Sequence, residues 1–329
     1  MARAVRFDEE GGPEVLRIDT VDVADPAPGE VRIRTKALGI NRAEVMFRSG
    51  QYLLQPDFPQ GLGYEAAGEI ESVGPDITEF APGDAVSVIP AFQFDEYALY
   101  GDLVLAPARA VVKHPAHLDW IEAAGSWMQF MTAWGALIDI AGLGRNETVL
   151  IPAASSSVGL AAIQVANAVG ARPIALTRTH DKADVLRDEG AYAVIVTETD
   201  DLVAEVMQLT DNQGARVVFD PAGGPQFAEL SKATAEHGIL FIYGALSDEA
   251  TPLPLFSVLG GLQTVRGYQL FEITGDDARL ARGKSFIVDG LASGTLKPRI
   301  DRIFDFEDIV GAHRYMESNQ QIGKIVVRV

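Results

Sequence analysis

The sequence predicts an α/β protein in which a doubly wound parallel sheet of six strands accompanies a second, β-rich domain. The length of 329 residues suggests two domains. Short segments rich in β-branched residues, broken by Gly and Pro, fill the first third of the chain. From Glu147 onward, apolar strands alternate with helical segments, which is typical of a parallel sheet covered on both faces.

In the first third of the chain, short strands and turn residues alternate in the way that is typical of a small barrel or sandwich. Segments such as VRIRTKALGI and GDAVSVIP have strand composition, and turn signals recur at 26–29, 59–61 and 82–84. The residues at 119–140 favour a helix, because their apolar members recur at mostly helical intervals. This segment therefore separates the two predicted domains.

The six strands of the predicted sheet are short apolar runs. They are ETVLIPA, ARPIALT, AYAVIVT, ARVVFDPAG, HGILFIYGA and LQTVRGYQLF. Six such strands in alternation with helices match a doubly wound, nucleotide-binding fold. The last segments, IDRIFDF, a helix to about Glu317 and GKIVVRV, predict β-α-β material that returns to the first domain.

Composition and charge exclude several classes of function. A hydrophobic fraction of 47% argues against disorder, because it allows a sizeable core. The net charge of -19 disfavours nucleic-acid and anionic-membrane partners, which need a cationic surface. No apolar run approaches the roughly 18 residues of a membrane span, and the N-terminus lacks the apolar core of a signal peptide. We therefore expect a soluble cytoplasmic protein.

The chain contains no cysteine. This excludes disulfides, Cys nucleophiles, thiolate zinc sites and iron–sulfur clusters. Among the five histidines, His114 and His117 are three residues apart, but Pro115 lies between them and no third ligand is near. We therefore expect a solvated loop at this position and no metal site.

A run of small residues follows the first strand of the predicted sheet. After Ala153 come Ser155, Ser156, Ser157, Val158 and Gly159, and then a helix. A tight turn between a strand and a helix N-terminus presents free N–H groups and a helix dipole to an anion such as a diphosphate. Only one glycine of the usual G-x-G-x-x-G pattern remains, although serine hydroxyls can also donate to phosphate oxygens. The alternative is a serine N-cap on a purely structural helix.

The end of the second strand predicts which nicotinamide cofactor binds. An acidic residue at this position forms a hydrogen bond with the ribose 2′-hydroxyl and selects NAD. This sequence has Thr177 at the acidic position and Arg178 after it, with Lys182 close behind. Because a guanidinium suits a 2′-phosphate, we predict NADPH over NADH. The alternative for Arg178 is a solvated surface arginine.

Several motifs together resemble the medium-chain dehydrogenase/reductase superfamily, in its zinc-independent quinone oxidoreductase branch. They are NRAE at 41–44, RSGQY at 48–52, GYEAAGEI at 63–70, PGDAV at 82–86, MQFMTAW at 128–134, the AASSSVG turn and the closing GKIVV. The resemblance implies a GroES-like β-barrel catalytic domain over 1–121 and 273–329. It also implies a Rossmann NADPH-binding domain over 122–272, with the active site in the cleft.

The departures from the zinc-dependent relatives bear on the chemistry. Asn41 stands where those relatives carry a Cys ligand, and Tyr64 stands where they carry the His of a G-H-E motif. Without a Lewis acid, hydride delivery to a conjugated acceptor is easier than alcohol oxidation, because hydrogen-bond donors and one proton source can handle the resulting charge. We therefore expect reduction of a quinone or an α,β-unsaturated carbonyl, with aromatic residues suggesting an apolar substrate.

The resemblance also assigns individual residues. Tyr52 matches a proposed proton donor, and Asn41 matches an amide near the nicotinamide. Tyr64 is a candidate catalytic residue in the same cleft, and the alternative is that its ring only packs in the core. Further cofactor contacts are implied for Thr132, for Gly244, Ala245 and Leu246 after a later strand, and for Lys324, whose alternative is a surface lysine.

Two other functions and one assembly state remain open from the sequence. The first alternative is an enoyl-thioester reductase of the same superfamily, and the second is a non-catalytic NADPH-binding sensor or scaffold. The segment LQTVRGYQLF predicts an apolar edge strand, which invites pairing. Because the same edge joins subunits in the superfamily, we expect a homodimer.

Overall fold

A computed structural model describes all residues from Met1 to Val329, and two compact units divide the chain. Unit 1 comprises Met1–Met128 and Thr274–Val329, whereas unit 2 comprises Gln129–Ile273. None of the helices combines the length and the hydropathy that a bilayer crossing requires.

The strands are numbered in chain order. They are β1 Ala2–Phe7, β2 Arg17–Val21, β3 Glu30–Ile40, β4 Gln60–Gly61, β5 Glu65–Val73, β6 Ala85–Val88, β7 Leu103–Pro107, β8 Val111–Val112, β9 Thr148–Ile151, β10 Arg172–Thr177, β11 Ala193–Val196, β12 Ala215–Asp220, β13 Thr234–Ile242, β14 Thr264–Gly267, β15 Ile300–Asp305 and β16 Lys324–Arg328.

The α-helices are numbered in the same way. They are α1 Arg42–Arg48, α2 Trp120–Ala124, α3 Trp127–Trp134, α4 Ser157–Ala168, α5 Ala183–Asp188, α6 Leu202–Leu209, α7 Phe227–Lys232, α8 Leu255–Gly260, α9 Phe271–Thr274, α10 Asp277–Ser293 and α11 Ile309–Glu317. A π-helical turn, Gly135–Ile140, continues α3.

Unit 1 is built on a seven-stranded sheet and a three-stranded sheet. The larger has the order β15-β16-β3-β5-β6-β8, with β7 also paired to β3, and the smaller has the order β2-β1-β4. The predicted return of the C-terminal segment is confirmed, because β16 pairs antiparallel with β3 and brings Ile325 opposite Ile40. This pairing places the first residue of β16, Lys324, close to the end of β3.

Unit 2 contains the predicted sheet of six strands. Its order is β11-β10-β9-β12-β13-β14, and every neighbouring pair is parallel. Counted within the unit, this is the order 3-2-1-4-5-6 of a doubly wound nucleotide-binding fold. Fully buried apolar residues such as Leu150, Ile174, Val218 and Leu240 form its core. The predicted fold class is therefore confirmed.

The helical stretch expected over 119–140 is divided into two helices, α2 and α3, which was not predicted. Asp119 caps α2 by accepting the Glu122 N–H at 2.8 Å, and α2 ends at Gly125. The next helix, α3, begins at Trp127, where the buried carboxylate of Glu65 accepts the N–H groups of Trp127 and Met128. The break therefore involves a contact with a residue far away in the sequence.

Candidate functional site

The turn after β9 has the geometry of an anion site. Ser156 caps α4 by accepting the Gly159 N–H at 3.1 Å, which confirms the N-cap part of the alternative interpretation. The N–H groups of Ser157 and Val158 remain in the first turn of α4, where no intrahelical acceptor exists. The hydroxyls of Ser155 and Ser157 have no partner within the protein. Open donors thus lie at the positive end of a twelve-residue helix.

The same turn depends on its single glycine. A Cβ at Gly159 would lie 2.5 Å from the Ala154 carbonyl oxygen and 2.6 Å from Ala154 Cα. Real Cβ atoms do not approach backbone this closely, so any larger residue must displace the start of α4. The turn has few glycines, but it retains Gly159, which the close packing of the start of α4 against the turn requires.

The second strand of the unit 2 sheet ends beside an unpaired cation. Thr177 is buried at the end of β10, and its carbonyl oxygen accepts the Thr197 N–H at 2.8 Å. Arg178 follows it, exposed and without a carboxylate partner. Lys182 lies half-buried in the short helical turn His180–Lys182 that precedes α5. The guanidinium of Arg178 is therefore available to a phosphate.

The ends of β12 and β13 approach each other closely. Asp220 accepts the N–H groups of Ala222 at 2.8 Å and Gly223 at 3.1 Å, so this carboxylate caps the turn that follows β12. Burial raises the pKa of Asp220. A Cβ at Gly244 would lie 2.5 Å from the Pro221 carbonyl oxygen. Gly244 therefore allows the loop that continues with Ala245 and Leu246, both exposed, to pass close to its neighbour.

An unpartnered hydroxyl in this region was missed by the sequence reasoning. The ring of Tyr243 stacks on Phe219 with centroids 4.0 Å apart, and its hydroxyl oxygen is buried without a hydrogen-bond partner. Buried polar atoms are normally satisfied, so this oxygen calls for a ligand atom or a water molecule. Thr132, the remaining residue predicted in unit 2, is buried in α3, and its carbonyl oxygen accepts the Tyr268 hydroxyl at 3.0 Å.

A buried charge cluster lies in unit 1 around the ammonium group of Lys324. The Lys324 Nζ donates to Asn41 Oδ1 at 2.6 Å and forms an ion pair with Glu65 Oε1. Lys324, Glu65 and Glu44 are wholly buried, and Asn41 is only 6% exposed. Sequence reasoning did not assign either carboxylate a role, because neither stands out from the solvated acids of so acidic a chain.

Each carboxylate of the cluster also accepts backbone hydrogen bonds. Glu65 Oε2 accepts the N–H groups of Trp127 at 3.1 Å and Met128 at 2.9 Å, so it caps the start of α3. Glu44 Oε2 accepts the Asn41 N–H at 2.6 Å, and its Oε1 accepts the Tyr64 N–H at 3.2 Å. Burial raises the pKa of Glu44 to about 8. The cluster thus ties three segments of unit 1 together.

The geometry bears on two expectations for this cluster. Asn41 Nδ2 faces the Gly39 carbonyl oxygen at 3.3 Å and Glu44 Oε1 at 3.2 Å, so its amide donor has protein partners, and its contact with cofactor or substrate stays a prediction. The surface alternative for Lys324 is wrong, because the side chain is fully buried against a carboxylate. Both residues hold the interior of unit 1 together.

An aromatic cluster in unit 1 contains both predicted tyrosines. Tyr64 is wholly buried, and its ring stacks on Phe94 with centroids 3.7 Å apart. Tyr52 is only partly buried and packs edge-on against Phe94 at 5.7 Å and Phe47 at 6.2 Å. Of the two phenols, Tyr52 is therefore the more accessible.

The histidine pair behaves differently from the expectation of a solvated loop. His117 is exposed, but His114 is half-buried, with Nδ1 3.0 Å from Ser87 Oγ and its ring edge-on to Trp120 at 5.6 Å. Burial lowers the pKa of His114. The structure holds no group of three or more His, Cys, Asp or Glu residues with a geometry suited to a metal ion.

Comparison with known proteins matches both units to described families. The family described as "Alcohol dehydrogenase GroES-like domain" matches residues 27–134, and the family described as "Zinc-binding dehydrogenase" matches residues 157–279. A quinone oxidoreductase of Pseudomonas aeruginosa is 30% identical over 99% of this chain and 99% of its own length. The chain belongs to the medium-chain dehydrogenase/reductase superfamily. Within the superfamily it falls in the quinone oxidoreductase-like branch.

Other members of the superfamily resemble the chain along its whole length. A 2-haloacrylate reductase of a Burkholderia species is 29% identical over 99% of each chain. The crystal structure of Escherichia coli quinone oxidoreductase complexed with NADPH has a TM-score of 0.90 and 28% identity, covering 99% of this chain and 100% of that one. The likeness thus includes both units of the chain.

One of the two matching families is described as a zinc-binding dehydrogenase, but the residues of this chain do not fit a zinc ion. At the position of the thiolate ligand, Asn41 turns its amide oxygen to the Lys324 ammonium group. That buried cation would repel Zn²⁺ at close range. At the position of the histidine ligand, Tyr64 is a buried phenol whose pKa burial raises far above its ordinary value. These groups offer zinc neither the thiolates nor the imidazoles that it prefers.

Proposed function

We propose that this protein is a zinc-independent oxidoreductase that uses NADPH to reduce a quinone or an α,β-unsaturated carbonyl. The observation that carries the proposal is the turn after β9, where open N–H groups and the free hydroxyls of Ser155 and Ser157 meet the positive end of α4. The NADPH in the E. coli relative's structure and the names of the quinone and haloacrylate reductases support it.

The residues of unit 2 suit the parts of the dinucleotide. The start of α4 would hold the diphosphate, and Arg178 would hold the 2′-phosphate with charge-assisted hydrogen bonds. The loop at Gly244 and the unpartnered hydroxyl of Tyr243 offer a close backbone and a polar contact at the ends of the following strands, where ligands of such sheets bind. Bound NADPH supplies the hydride.

In unit 1, the hydroxyl group of Tyr52 donates the proton that the reduced substrate needs. When a hydride reaches the β-carbon of an enone, the C=C π electrons move toward the carbonyl and leave an enolate, which needs one proton. Burial raises the pKa of Tyr52, so its hydroxyl keeps its proton at neutral pH and can donate it. The buried ammonium of Lys324 remains bound to Glu65 and Asn41 and takes no part in this transfer.

A screen of NADPH oxidation tests the proposed function. Purified protein is dialysed against EDTA and offered a quinone, an enone, an aldehyde and an enoyl thioester. We expect the quinone or the enone to be reduced and the chelator to have no effect. Preference for the thioester would favour an enoyl-thioester reductase, and NADPH binding without any oxidation would favour a sensor. Loss of activity with EDTA would contradict the zinc-independent mechanism.

The choice of cofactor depends on Arg178. Replacing Arg178 by Ala is expected to raise the KM for NADPH by about 10- to 100-fold, because a hydrogen bond between charged groups contributes about 1.5–3 kcal/mol. The KM for NADH should change little. Arg187→Ala is the matched control, since Arg187 is exposed on α5 and pairs with Asp184. Equal effects of Arg178→Ala on both cofactors would contradict the assignment.

We also propose that two copies of the chain associate through unit 2. The strand β14 forms an edge of the six-stranded sheet, and on α8 nearby in sequence Phe256 is 88% exposed and Leu259 60% exposed. Light scattering at micromolar concentration should give a dimer mass. Phe256→Glu should lower that mass to a monomer's, whereas Leu53→Glu, at an exposed leucine of unit 1, should not. A monomeric wild-type protein would refute the dimer.

A further inference from the structure

We infer that Gln60 is a positioning residue, whose buried side-chain amide holds the segment that carries Tyr52 against the segment that carries Phe94. The inference rests on the proposed function, because it deepens the role of Tyr52 as the proton donor. The three hydrogen bonds that this amide forms, with Asp57, Gly61 and Phe94, are called the Gln60 clamp below.

The segment that carries Tyr52 has little packing of its own. It connects α1 to β4, and none of residues 51–59 is buried. The Tyr52 ring contacts Phe94 edge-on with centroids 5.7 Å apart and Phe47 at 6.2 Å. Phe47 and Phe94 are themselves stacked at 4.4 Å, so the Tyr52 ring packs against both members of one pair. The direction of the Tyr52 hydroxyl therefore depends on where this pair lies.

The two phenylalanines of the pair are held in different ways. Phe47 is fully buried within α1, so the helix fixes its backbone. Phe94 is also buried, but it lies in the irregular segment between β6 and β7, where no helix or sheet hydrogen bonds fix the backbone. The position of Phe94 therefore needs another anchor, and the Gln60 clamp provides it.

The clamp uses both ends of the Gln60 amide. Nε2 donates to the carbonyl oxygens of Phe94 at 2.8 Å and Gly61 at 3.2 Å. Oε1 accepts the backbone N–H of Asp57, in the segment that carries Tyr52, at 3.3 Å. An uncharged amide offers a donor and an acceptor together, so one side chain can join the two segments. The clamp thus fixes the backbone on both sides of the contact between Tyr52 and Phe94.

Gln60 is itself attached to a sheet. It begins β4, which pairs antiparallel with β1 and places Gln60 opposite Phe7. The side chain is 9% exposed, and a buried polar group that loses its partner is costly. The amide is therefore held in the geometry that joins the two segments.

Replacing Gln60 by Met tests the inference, because Met keeps the size of the side chain and removes the amide. We expect kcat for an enone to fall about 10- to 100-fold, since displacement of a reacting group by about 1 Å can cost about 10²-fold. Quinone reduction and the KM for NADPH should change little, because neither needs the Tyr52 proton. Combined with Tyr52→Phe, the change should add nothing. Gln93→Met is the matched control, since Gln93 precedes Phe94 but has no part in the clamp.

The variant Gln60→Glu separates the two ends of the clamp. A carboxylate still accepts the Asp57 N–H but cannot donate to the Phe94 carbonyl oxygen, whereas a carboxylic acid can do both. Relative to wild type, kcat for an enone should therefore be higher at low pH than at high pH. Burial raises the pKa of the introduced carboxyl group, which brings this change toward neutral pH. Gln60→Met should show no such recovery, because its thioether does not titrate.

A measurement without turnover keeps the inference separable from the proposed function. With labelled aromatic rings, NMR detects nuclear Overhauser effects between Tyr52 and its phenylalanine neighbours, and Tyr52→Phe assigns the Tyr52 signal. Gln60→Met should weaken the effect between Tyr52 and Phe94, whether or not the protein oxidises NADPH, and Gln93→Met should not.

Unchanged Tyr52 contacts, an equal loss on quinone and enone, or an additive double variant would overturn the inference. If Gln60→Met does not fold, the pH dependence of Gln60→Glu decides, and a ratio to wild type that is independent of pH would overturn it. A wild-type protein that oxidises no NADPH would instead overturn the proposed function.

Discussion

Replacing Lys324 by Met is expected to destabilise the protein by about 3–5 kcal/mol, the usual cost of removing one partner from a buried ion pair. Glu65 would remain wholly buried with its charge uncompensated, and Asn41 Oδ1 would lose its donor at 2.6 Å. Because Glu65 also caps the start of α3, rearrangement of its carboxylate would disturb the N–H groups of Trp127 and Met128. Urea-induced unfolding followed by circular dichroism measures the loss.

Two further variants test whether the charge is the cause. Adding Glu65→Gln to Lys324→Met should recover part of the lost stability, because the amide carries no charge to leave unpaired. Lys36→Met is the matched control, since Lys36 pairs with Glu69 at 3.3 Å but both side chains are about a third or more exposed. Such a pair contributes about 0–1 kcal/mol. If Lys324→Met were as mild as Lys36→Met, the buried pair would not have the importance assigned to it.

Replacing Tyr52 by Phe is expected to lower kcat for enones by about 10²- to 10⁴-fold, the usual contribution of a positioned acid. The KM for NADPH should not change, because Tyr52 lies in unit 1 and the dinucleotide residues proposed here lie in unit 2. The ring packing on Phe94 and Phe47 should survive, since only the hydroxyl is lost. Steady-state kinetics with an enone provides the measurement.

The same variant should distinguish two classes of substrate. Protonation of an enolate at carbon is slow and needs a positioned donor, whereas the oxygens of a reduced quinone exchange protons readily with water. Tyr52→Phe should therefore impair enone reduction much more than quinone reduction. Unchanged turnover on every accepted enone would exclude Tyr52 as the donor and leave it as a wall of the aromatic cluster.

The fold followed from local patterns, whereas the break in its helical segment did not. Alternation of apolar strands with helices predicted the six strands of unit 2, because the central strands of such a sheet are buried on both faces. The break between α2 and α3 could not be predicted, since the start of α3 is capped by Glu65, a residue of a distant strand. A local window contains no information about such a contact.

The candidate site likewise has one part that local sequence patterns predict and one part that depends on contacts between distant residues. The serine turn is contiguous in sequence, so Ser155, Ser156 and Ser157 could be assigned together. The resemblance placed Lys324 near the cofactor, with a surface lysine as the alternative. Its hydrogen-bond partner, Asn41, is 283 positions away, and only the pairing of β16 with β3 brings the two together.

Transfer of isotope from the cofactor tests the central claim most directly. Protein dialysed against EDTA is incubated with an enone and with NADPH that carries deuterium at the transferred position of the nicotinamide C4. The account predicts one deuterium at the β-carbon of the saturated product and a proton from water at the α-carbon, at the same rate as without chelator. Product without deuterium, or no product until a divalent metal is restored, would contradict it.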